Sequence, residues 1–449
     1  MPALRKRSVP PWAQCLLGML LALCWCASAW AEDRTFEESS ADLDFEIPEA
    51  EARKLIEING YLEAAGTAYG RDKNSLLFQQ KYIGQDLDDQ TYAGDLRAKI
   101  EAKAQGDVAL AYVRFKAEEQ RDAEGWNADG VLEEGFLAFK PTPSLTVEAG
   151  KRVMKWGKGY AWNPAGFVSR PKDPDDAEET LEGYGMVDAD FIKSFDGPLQ
   201  TIAFTPVVIP VSEHFNKEWG KPGSFVGAAK LYALFLDTDL DVMFLAGDEA
   251  ESRTGFDFSK NLTTNFEVHG EAAVVFDHEK PLLDSQGNVS VDRYDAWSFL
   301  AGLRYLNSYD TTFILEYYRN GLGYSQTETT EYYSYVEDAL AAYQAGNKLP
   351  LMKSRKYSQA YSSQNAMEDY LYLRVVQKDP FDILYFSPAL TTIVNLDDGS
   401  LSLSPELLYA PVTNWEFRLK SWFFLGAEDT EYGEKQNDYR VEARIRYYF

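Results

Sequence analysis

Charged side chains recur at every second position through long stretches of this chain. Arg97, Lys99, Glu101 and Lys103 alternate with Leu96, Ala98, Ile100 and Ala102. Glu416, Arg418 and Lys420 alternate with Trp415, Phe417 and Leu419, and Arg440, Glu442, Arg444 and Arg446 with Val441, Ala443, Ile445 and Tyr447. Arg114 with Lys116, and Glu267 with Glu271, keep the same step. Such groups can pair with each other or act on a passing ion. They cannot supply a nucleophile. Histidine occurs only as His214, His269 and His278, and cysteine only as Cys15, Cys24 and Cys26. No Ser/His/acid set can be assembled around His269, and no His/acid cluster has metal-ligand spacing. Carboxylate-rich loops can bind divalent cations through oxygen, a pattern without specificity. The chain is therefore expected not to be an enzyme and to need no cofactor and no metal.

A second concentration of polar chemistry is GKRVMKWGKGYAWNPAGFVSRPKDPDDAEETLEGYG, residues 150–185. Pro164, Pro171 and Pro174 stiffen it. Tyr160, Trp162 and Phe167 give it flat surfaces to pack, and Lys158, Arg170, Lys172, Asp173, Asp175 and Asp176 give it paired charges. A third stretch, 324–367, contains TTEYYSYVEDALAAYQAGNK. Tyr332, Val336, Ala339, Leu340 and Tyr343 recur there at three and four, and Gly346 suits a helix C-terminus, so the spacing predicts a short amphipathic helix. Its tyrosines, with Tyr357 and Tyr361, could stack on sugar rings or could pack the loop on its own support.

The elements that must position these residues follow from the period. LRAKIEAKA, FEVHGEAAVVFD, WSFLAGLRY and WEFRLKSWFFLG are runs of about ten residues, with one apolar face and an opposite face that is often charged. Strands of a soluble sandwich also alternate but are usually shorter. Short turns read at Gly106-Asp107, Pro141–Ser144, Asp196–Pro198, Asp237–Asp239, Lys260–Thr263, Asn307–Asp310, Asp379–Asp382 and Pro411–Asn414. Between them fall longer polar loops at 71–91, 121–129, 157–185, 209–224, 248–253, 278–294, 324–367 and 428–437, with Asp397–Ser400 a short exception. The strands between these connections number about eighteen, or about sixteen without the weak segments near 199–208, 225–236 and 382–396. Composition agrees. With 28 Tyr, 26 Phe and 10 Trp the chain is too aromatic for an acidic disordered protein, and a net charge of −27 excludes a nucleic-acid binder.

Both ends carry signals. Arg5, Lys6 and Arg7 precede an apolar stretch from Cys15 to Trp25 and the small-x-small site Ala29-Trp30-Ala31. This reads as a secretory signal peptide over 1–31, with an apolar core shorter than the ~20 residues of a membrane span. Its three basic residues leave with it, taking the charge from −27 to −30. Residues 32–56 form an acidic periplasmic segment without strand period, with room for a short helix after Pro48, and are far too short for a large plug domain. The last eleven residues, YRVEARIRYYF, place Val441, Ala443, Ile445, Tyr447 and Phe449 on one face.

With this last strand, the alternating turns and the signal peptide, the chain resembles bacterial outer-membrane β-barrel proteins over residues 57–449. Residues 150–185 resemble the G-x-x-x-x-x-WG…NP stretch of porin-like barrel families of unassigned function, and more distantly the chain is similar to alginate-export barrels. The resemblance implies an all-β, antiparallel, up-and-down transmembrane barrel in the outer membrane of a Gram-negative bacterium, reached by Sec-type export. It implies contact with outer-membrane lipids and lipopolysaccharide, and a terminal signal, Phe449 with Tyr447, read by the barrel-assembly machinery. In a closed barrel the first and last strands are neighbours. One wall of the lumen then carries Arg97, Lys99, Lys103, Arg114, Lys116, Arg418, Lys420, Arg440, Arg444 and Arg446 against Glu63, Glu101, Glu118, Glu416 and Glu442, a surplus of five positive charges. The opposite wall carries Asp188, Asp190, Glu267, Glu271, Asp277 and Glu316, partly offset by Arg304. These charges either form an ion-pair lattice or tune which ions pass. The 157–185 loop, with Trp162, Arg170, Lys172 and Asp173, is either a folded-in constriction or an external loop packed on the rim. The expected function is a porin-like channel for small hydrophilic or anionic solutes. The alternatives are an export conduit for an anionic polysaccharide and a structural or adhesive barrel with a blocked lumen.

Overall fold

The computed structural model describes residues 56–122, 125–176 and 180–449. The signal peptide and nearly all of the acidic segment after it lie outside the described residues. Eighteen strands follow in order: β1 (Ile56–Arg71), β2 (Gln90–Gln105), β3 (Ala109–Asp122), β4 (Gly125–Thr142), β5 (Leu145–Arg152), β6 (Tyr184–Ser194), β7 (Leu199–Pro210), β8 (Phe225–Phe235), β9 (Thr238–Gly247), β10 (Arg253–Thr263), β11 (Phe266–Leu283), β12 (Val289–Leu306), β13 (Thr311–Arg319), β14 (Asp369–Gln377), β15 (Phe386–Asn395), β16 (Leu401–Val412), β17 (Trp415–Leu425) and β18 (Asn437–Tyr448). Each strand pairs antiparallel with its sequence neighbours, and β1 also pairs with β18, so the sheet has no edge. The seam runs from Tyr61 opposite Tyr448 to Arg71 opposite Asn437. Phe449 extends it: its N–H donates to the Gly60 carbonyl and its carbonyl accepts from the Gly60 N–H, both at 3.0 Å. A Cβ on Gly60 would lie 2.7 Å from the Phe449 ring, so the glycine makes room for the terminal aromatic.

Alternation sorts the two faces. Leu62, Leu96, Ile100, Leu137, Phe204, Phe244, Trp297 and Phe299 are exposed on the outer wall, whereas Glu63, Lys99, Asp188, Asp257, Glu271 and Ser298 are buried inside. A continuous exposed wall of this kind does not face water. Closure satisfies every ladder group, the condition for crossing a bilayer with strands. The fold is the antiparallel up-and-down transmembrane barrel expected, with a strand count at the upper end of the expected range.

One end carries seven connections of two to four residues and the eight-residue β14–β15 connection, and the other carries all the connections longer than ten residues together with shorter ones such as β3–β4 and β15–β16. Two expected loops, 121–129 and 278–294, are mostly strand. β3 and β4 continue to Asp122 and Gly125, and β11 and β12 to Leu283 and Val289, through pairs such as Glu279 opposite Arg293 and Lys280 opposite Asp292. These hairpins rise beyond the apolar wall, so the two-residue hydrophobic period stops while the backbone ladder goes on. The long-loop end also carries three helices: α1 (Leu76–Tyr82), α2 (Gln326–Gln344) and α3 (Leu349–Ser362). Ser325 and Glu328 form a capping box on α2, which matches the helix read from spacing; α3, with Pro350 in its first turn, was not anticipated. The helices form one body. Tyr332 stacks on Tyr361 at 4.1 Å and Tyr361 on Tyr324 at 4.0 Å, all three buried, and Gln80 of α1 donates to the Tyr332 hydroxyl at 3.0 Å and to Ser354 at 2.8 Å. These tyrosines pack the loop on itself instead of facing a sugar.

Candidate functional site

The described residues of the connection from β5 to β6, 153–176 and 180–183, run inside the barrel. Its first half lies on the wall made by β9 to β14. Glu271 of β11 accepts from the N–H groups of Lys158 and Gly159, both at 2.6 Å, from the Asn163 amide at 2.8 Å and from the Ala165 N–H at 3.0 Å. Glu316 of β13 accepts from the Tyr160 N–H at 2.5 Å and the Ala161 N–H at 2.8 Å, and lies 2.8 Å from His269 Nε2. Two buried carboxylates thus collect successive backbone donors of GKGYAWNPA. Gly159 is required by close approach, since a Cβ there would stand 2.0 Å from the Trp162 carbonyl, and Gly157 by its φ of +91°. Gly302 lies between His269 and Glu316 in the cross-strand row, and a Cβ on it would stand 2.1 Å from the imidazole. Lys158 reaches Asp241 at 3.0 Å and Asp257 at 4.0 Å. The Trp162 ring stacks on Tyr318, with centroids 5.0 Å apart, and touches Tyr370 and Tyr372.

The packing beneath this segment is apolar. Trp156, Ala165, Phe167 and Val168 bury against Met186, Val207, Ile209, Val226, Met243 and Leu245, which point into the lumen from β6 to β9. Inward apolar residues would be costly in a water-filled pore; the segment covers them.

Its second half reaches the other wall. Asp176 accepts from Arg418 Nη1 at 3.3 Å and Nη2 at 3.1 Å, the Asp175 carboxylate accepts from Ser404 at 3.2 Å, and the Asp175 carbonyl accepts from Lys420. Thr180 bonds Lys99 and donates to Glu133 at 3.1 Å, and the Leu181 carbonyl accepts from Arg114 at 3.1 Å. The segment is fastened to both walls and crosses the lumen as a strap. Of its four singled-out residues, Trp162 is in the aromatic stack and Lys172 donates to the Gly159 carbonyl at 2.7 Å. Arg170 pairs with Glu218 at 2.9 Å, and Asp173 accepts from Gln364, in the α3–β14 connection, at 2.7 Å.

The residues of the basic wall lie among acids that balance them. Glu63, almost fully buried, serves Arg97 at 3.0 Å, Arg446 at 2.6 Å and Arg444 at 3.5 Å. Arg97 also meets Glu118 at 2.7 Å, Lys116 meets Glu118 at 3.4 Å, Arg444 meets Glu416 at 3.2 Å, and Arg440 pairs with Glu442. Lys103 faces Tyr112 across the β2–β3 ladder. The expected surplus of five positives is corrected by five acids not assigned to this wall. A bulge between Arg114 and Phe115 turns both Glu133 and Glu134 onto Arg114, at 2.9 Å each, and Glu133 also reaches Lys99 at 3.0 Å. Glu406 reaches Lys420 at 3.4 Å and Arg418 at 3.7 Å, and the strap brings Asp175 and Asp176. Exposure favours the cations only in part: Arg97 and Lys116 keep 28 and 27% of their side chains accessible and their shared partner Glu118 keeps 24%, whereas Arg440 at 36% is more open than Glu442 at 6% and Glu63 is at 1%. On the opposite wall Glu267 accepts from the Tyr160 hydroxyl at 3.2 Å and lies 3.9 Å from Arg304.

His278 meets Glu251 at 2.7 Å near the long-loop end, and His214 is exposed in the β7–β8 loop. Among the described residues one carboxylate trio, Glu148, Asp188 and Asp190, is close enough to share a cation, but Arg152 already bonds Glu148 and Asp188.

No family model and no curated protein matches this sequence. Solved structures do. Wzi of Escherichia coli, described as an outer-membrane carbohydrate-binding β-barrel involved in group 1 capsule assembly, superposes with a TM-score of 0.50 at 11% identity, covering 86% of this chain and 83% of its own. OccK5 (OpdH) of Pseudomonas aeruginosa gives 0.49 at 10% identity, covering 87% and 98%. A variant of the Rh. blastica porin gives 0.43 at 12%, covering 88% and 100%. At these identities the likeness is one of fold: this chain has the fold of bacterial outer-membrane β-barrels.

Proposed function

We propose that the protein is an outer-membrane channel of narrow bore for small hydrophilic solutes, with its cross-section set by the 153–183 strap. The observation that carries this is the fastening of the strap to both walls of a closed barrel, through Glu271 and Glu316 on one side and Arg418 on the other. What passes must use the space the strap leaves, beside Arg97, Lys116 and Arg440. Their charge favours anions, weakly, because Glu118, Glu442 and the buried Glu63 offset it. An extended polysaccharide would require the strap to leave the lumen.

The covered inward apolar residues support a second reading, a structural or adhesive barrel whose lumen is blocked at rest. Single-channel recording separates the two. The parent should show small, stable conductance steps, and a variant shortened across Gly159–Glu182 should show larger ones. A silent parent with a conducting shortened variant favours the blocked barrel. Unchanged conductance in a correctly folded shortened variant removes the strap from any role in setting the bore.

A further inference from the structure

In a chain with net charge −27, residues 345–363 contain four basic residues and no acid. They form α3 and its flanks on the long-loop end. Leu351, Ser354 and Tyr361 face inward from this helix, while Leu349, Met352, Lys353 and Lys356 share the opposite face, with Leu349 74% and Met352 65% exposed. Lys348 and Arg355 flank that face. Arg355 donates to the carbonyls of Gln80, at 2.8 Å, and Lys81, at 3.2 Å, which brings Lys81 of α1 into the same patch. Lys353 donates to the Gly287 carbonyl. None of these five cations forms a salt bridge among the described residues. Aromatic rings lie beside three of them: Tyr82 is 4.9 Å from Lys81, Tyr343 5.9 Å from Lys348 and Tyr357 5.8 Å from Lys356.

Folding explains only part of this arrangement: Arg355 and Lys353 hold carbonyls of neighbouring segments, and Lys81 lies in the last turn of α1. Lys348 sits at the N-cap of α3 with no capping hydrogen bond, at the end where the helix dipole disfavours a cation. Lys353 and Lys356 are like charges three apart on one helical face. Five cations gathered on one small surface without carboxylate partners among the described residues, four of them in a stretch of chain that contains no acid, form a local positive field directed outward. The patch lies on the helical body, away from the apolar wall that meets lipid. A ligand reaches it from the medium.

We propose that this face binds an acidic polysaccharide through its carboxylates, with Lys81, Lys348, Lys353, Arg355 and Lys356 meeting the charges and Tyr343, Tyr357, Leu349 and Met352 lying under the sugar rings. The inference does not depend on the channel reading, because the patch is outside the lumen.

The probe is fluorescently labelled alginate, a polyuronate, titrated with the full barrel in non-ionic detergent at low salt, with neutral dextran of equal length as control. The parent should bind alginate and not dextran, and about 0.5 M salt should abolish binding. The side chains of Lys81, Lys348 and Lys356 make no hydrogen bond among the described residues, and the backbone bonds at Lys81 and Lys348 survive substitution, so changing all three to Gln leaves the helices intact. That variant should lose at least about tenfold in affinity while keeping heat-modifiable migration and the parent's conductance. A parent that ignores alginate at low salt overturns the proposal. So does a folded triple variant that binds alginate as the parent does, which would move the site to the basic wall of the lumen. Competition by inorganic phosphate at concentrations where acetate is inert would replace a carboxylate site with a phosphate site, and also overturns it.

Discussion

Glu271 and Glu316 each sit in a strand with an alternating pattern, yet both do more than line a wall. Between them they accept five backbone N–H bonds and one side-chain amide bond from the strap. Hydrogen bonds to a charged acceptor contribute about 1.5–3 kcal/mol each, and a neutral amide of the same shape would turn an N–H toward donors. The double variant Glu271→Gln/Glu316→Gln should therefore free the strap, and trypsin should cut after Lys158 or Lys172 at least about tenfold faster than in the parent. Equal protection of parent and variant would mean that apolar packing alone retains the strap. Glu434 makes a second residue-level case, in the β17–β18 loop. Its carboxylate accepts from the Leu76 N–H at 2.5 Å at the start of α1. Burial pushes this carboxyl up to about 7, aided by the charges of Asp429 and Asp72 and opposed by the N–H groups of Leu76 and Asp429. The folded form thus holds a proton that the unfolded form has lost. The contribution to stability is complete below the ordinary carboxylate range and is lost as pH rises through about 7. Amide exchange in α1, corrected for its intrinsic rate, should be faster near pH 8 than near pH 5.5, and Glu434→Gln should remove that difference. A pH-independent parent would argue that Glu434 is charged throughout.

At the scale of elements, β18 closes the barrel and places the last residue in the seam. Phe449 makes two backbone bonds to Gly60 and lays its ring over the space a side chain there would fill, while Tyr447 packs on Trp415 at the outer wall. Phe449→Ser keeps the backbone bonds and removes the ring. The amount of folded, heat-modifiable barrel recovered from membranes should fall several-fold. An equal yield would detach the terminal aromatic from assembly. The strap is the other decisive element. Its WGKGYAWNP stretch joins glycines that permit close approach to a Trp that fills the aromatic niche of Tyr318, Tyr370 and Tyr372.

For the whole molecule, the basic wall is nearly neutral by count, so its effect on a passing ion rests on which of its charges remain accessible. Arg418, Lys420 and Arg444 are nearly buried, and Arg418 and Lys420 are engaged by the strap, so they are poor levers on a passing ion. Arg97, Lys116 and Arg440 are the accessible set. Replacing those three with Gln should shift the zero-current potential under a KCl gradient toward cation preference, most visibly below about 0.1 M salt, where screening extends beyond ~10 Å. If the variant inserts, conducts and keeps the parent's ion preference, these residues are a structural lattice only.

The strand period, the alternation of short and long connections and the aromatic last strand were enough to identify a closed barrel of about eighteen strands, because each is local in the chain. The same period placed Arg97, Arg418 and Arg444 on one inner wall and Glu271 on the other, since facing depends only on parity once the ends of the sheet meet. Parity fails at a bulge, which is why Glu133 and Glu134 were not assigned to the basic wall. It also fails at the ends of β3–β4 and β11–β12, where charged pairs such as Glu279 with Arg293 interrupt the apolar face while the ladder continues. One overlooked signal was present: TPVVIP in β7 and MFLAG in β9 are apolar on both faces, which a lumen open to water would not favour. What the sequence left open was where the 153–183 segment goes. Its path depends on apolar groups of β6 to β9 and on carboxylates of β11 and β13 and an arginine of β17, the last three more than a hundred residues away in the chain and brought near only once the barrel has closed.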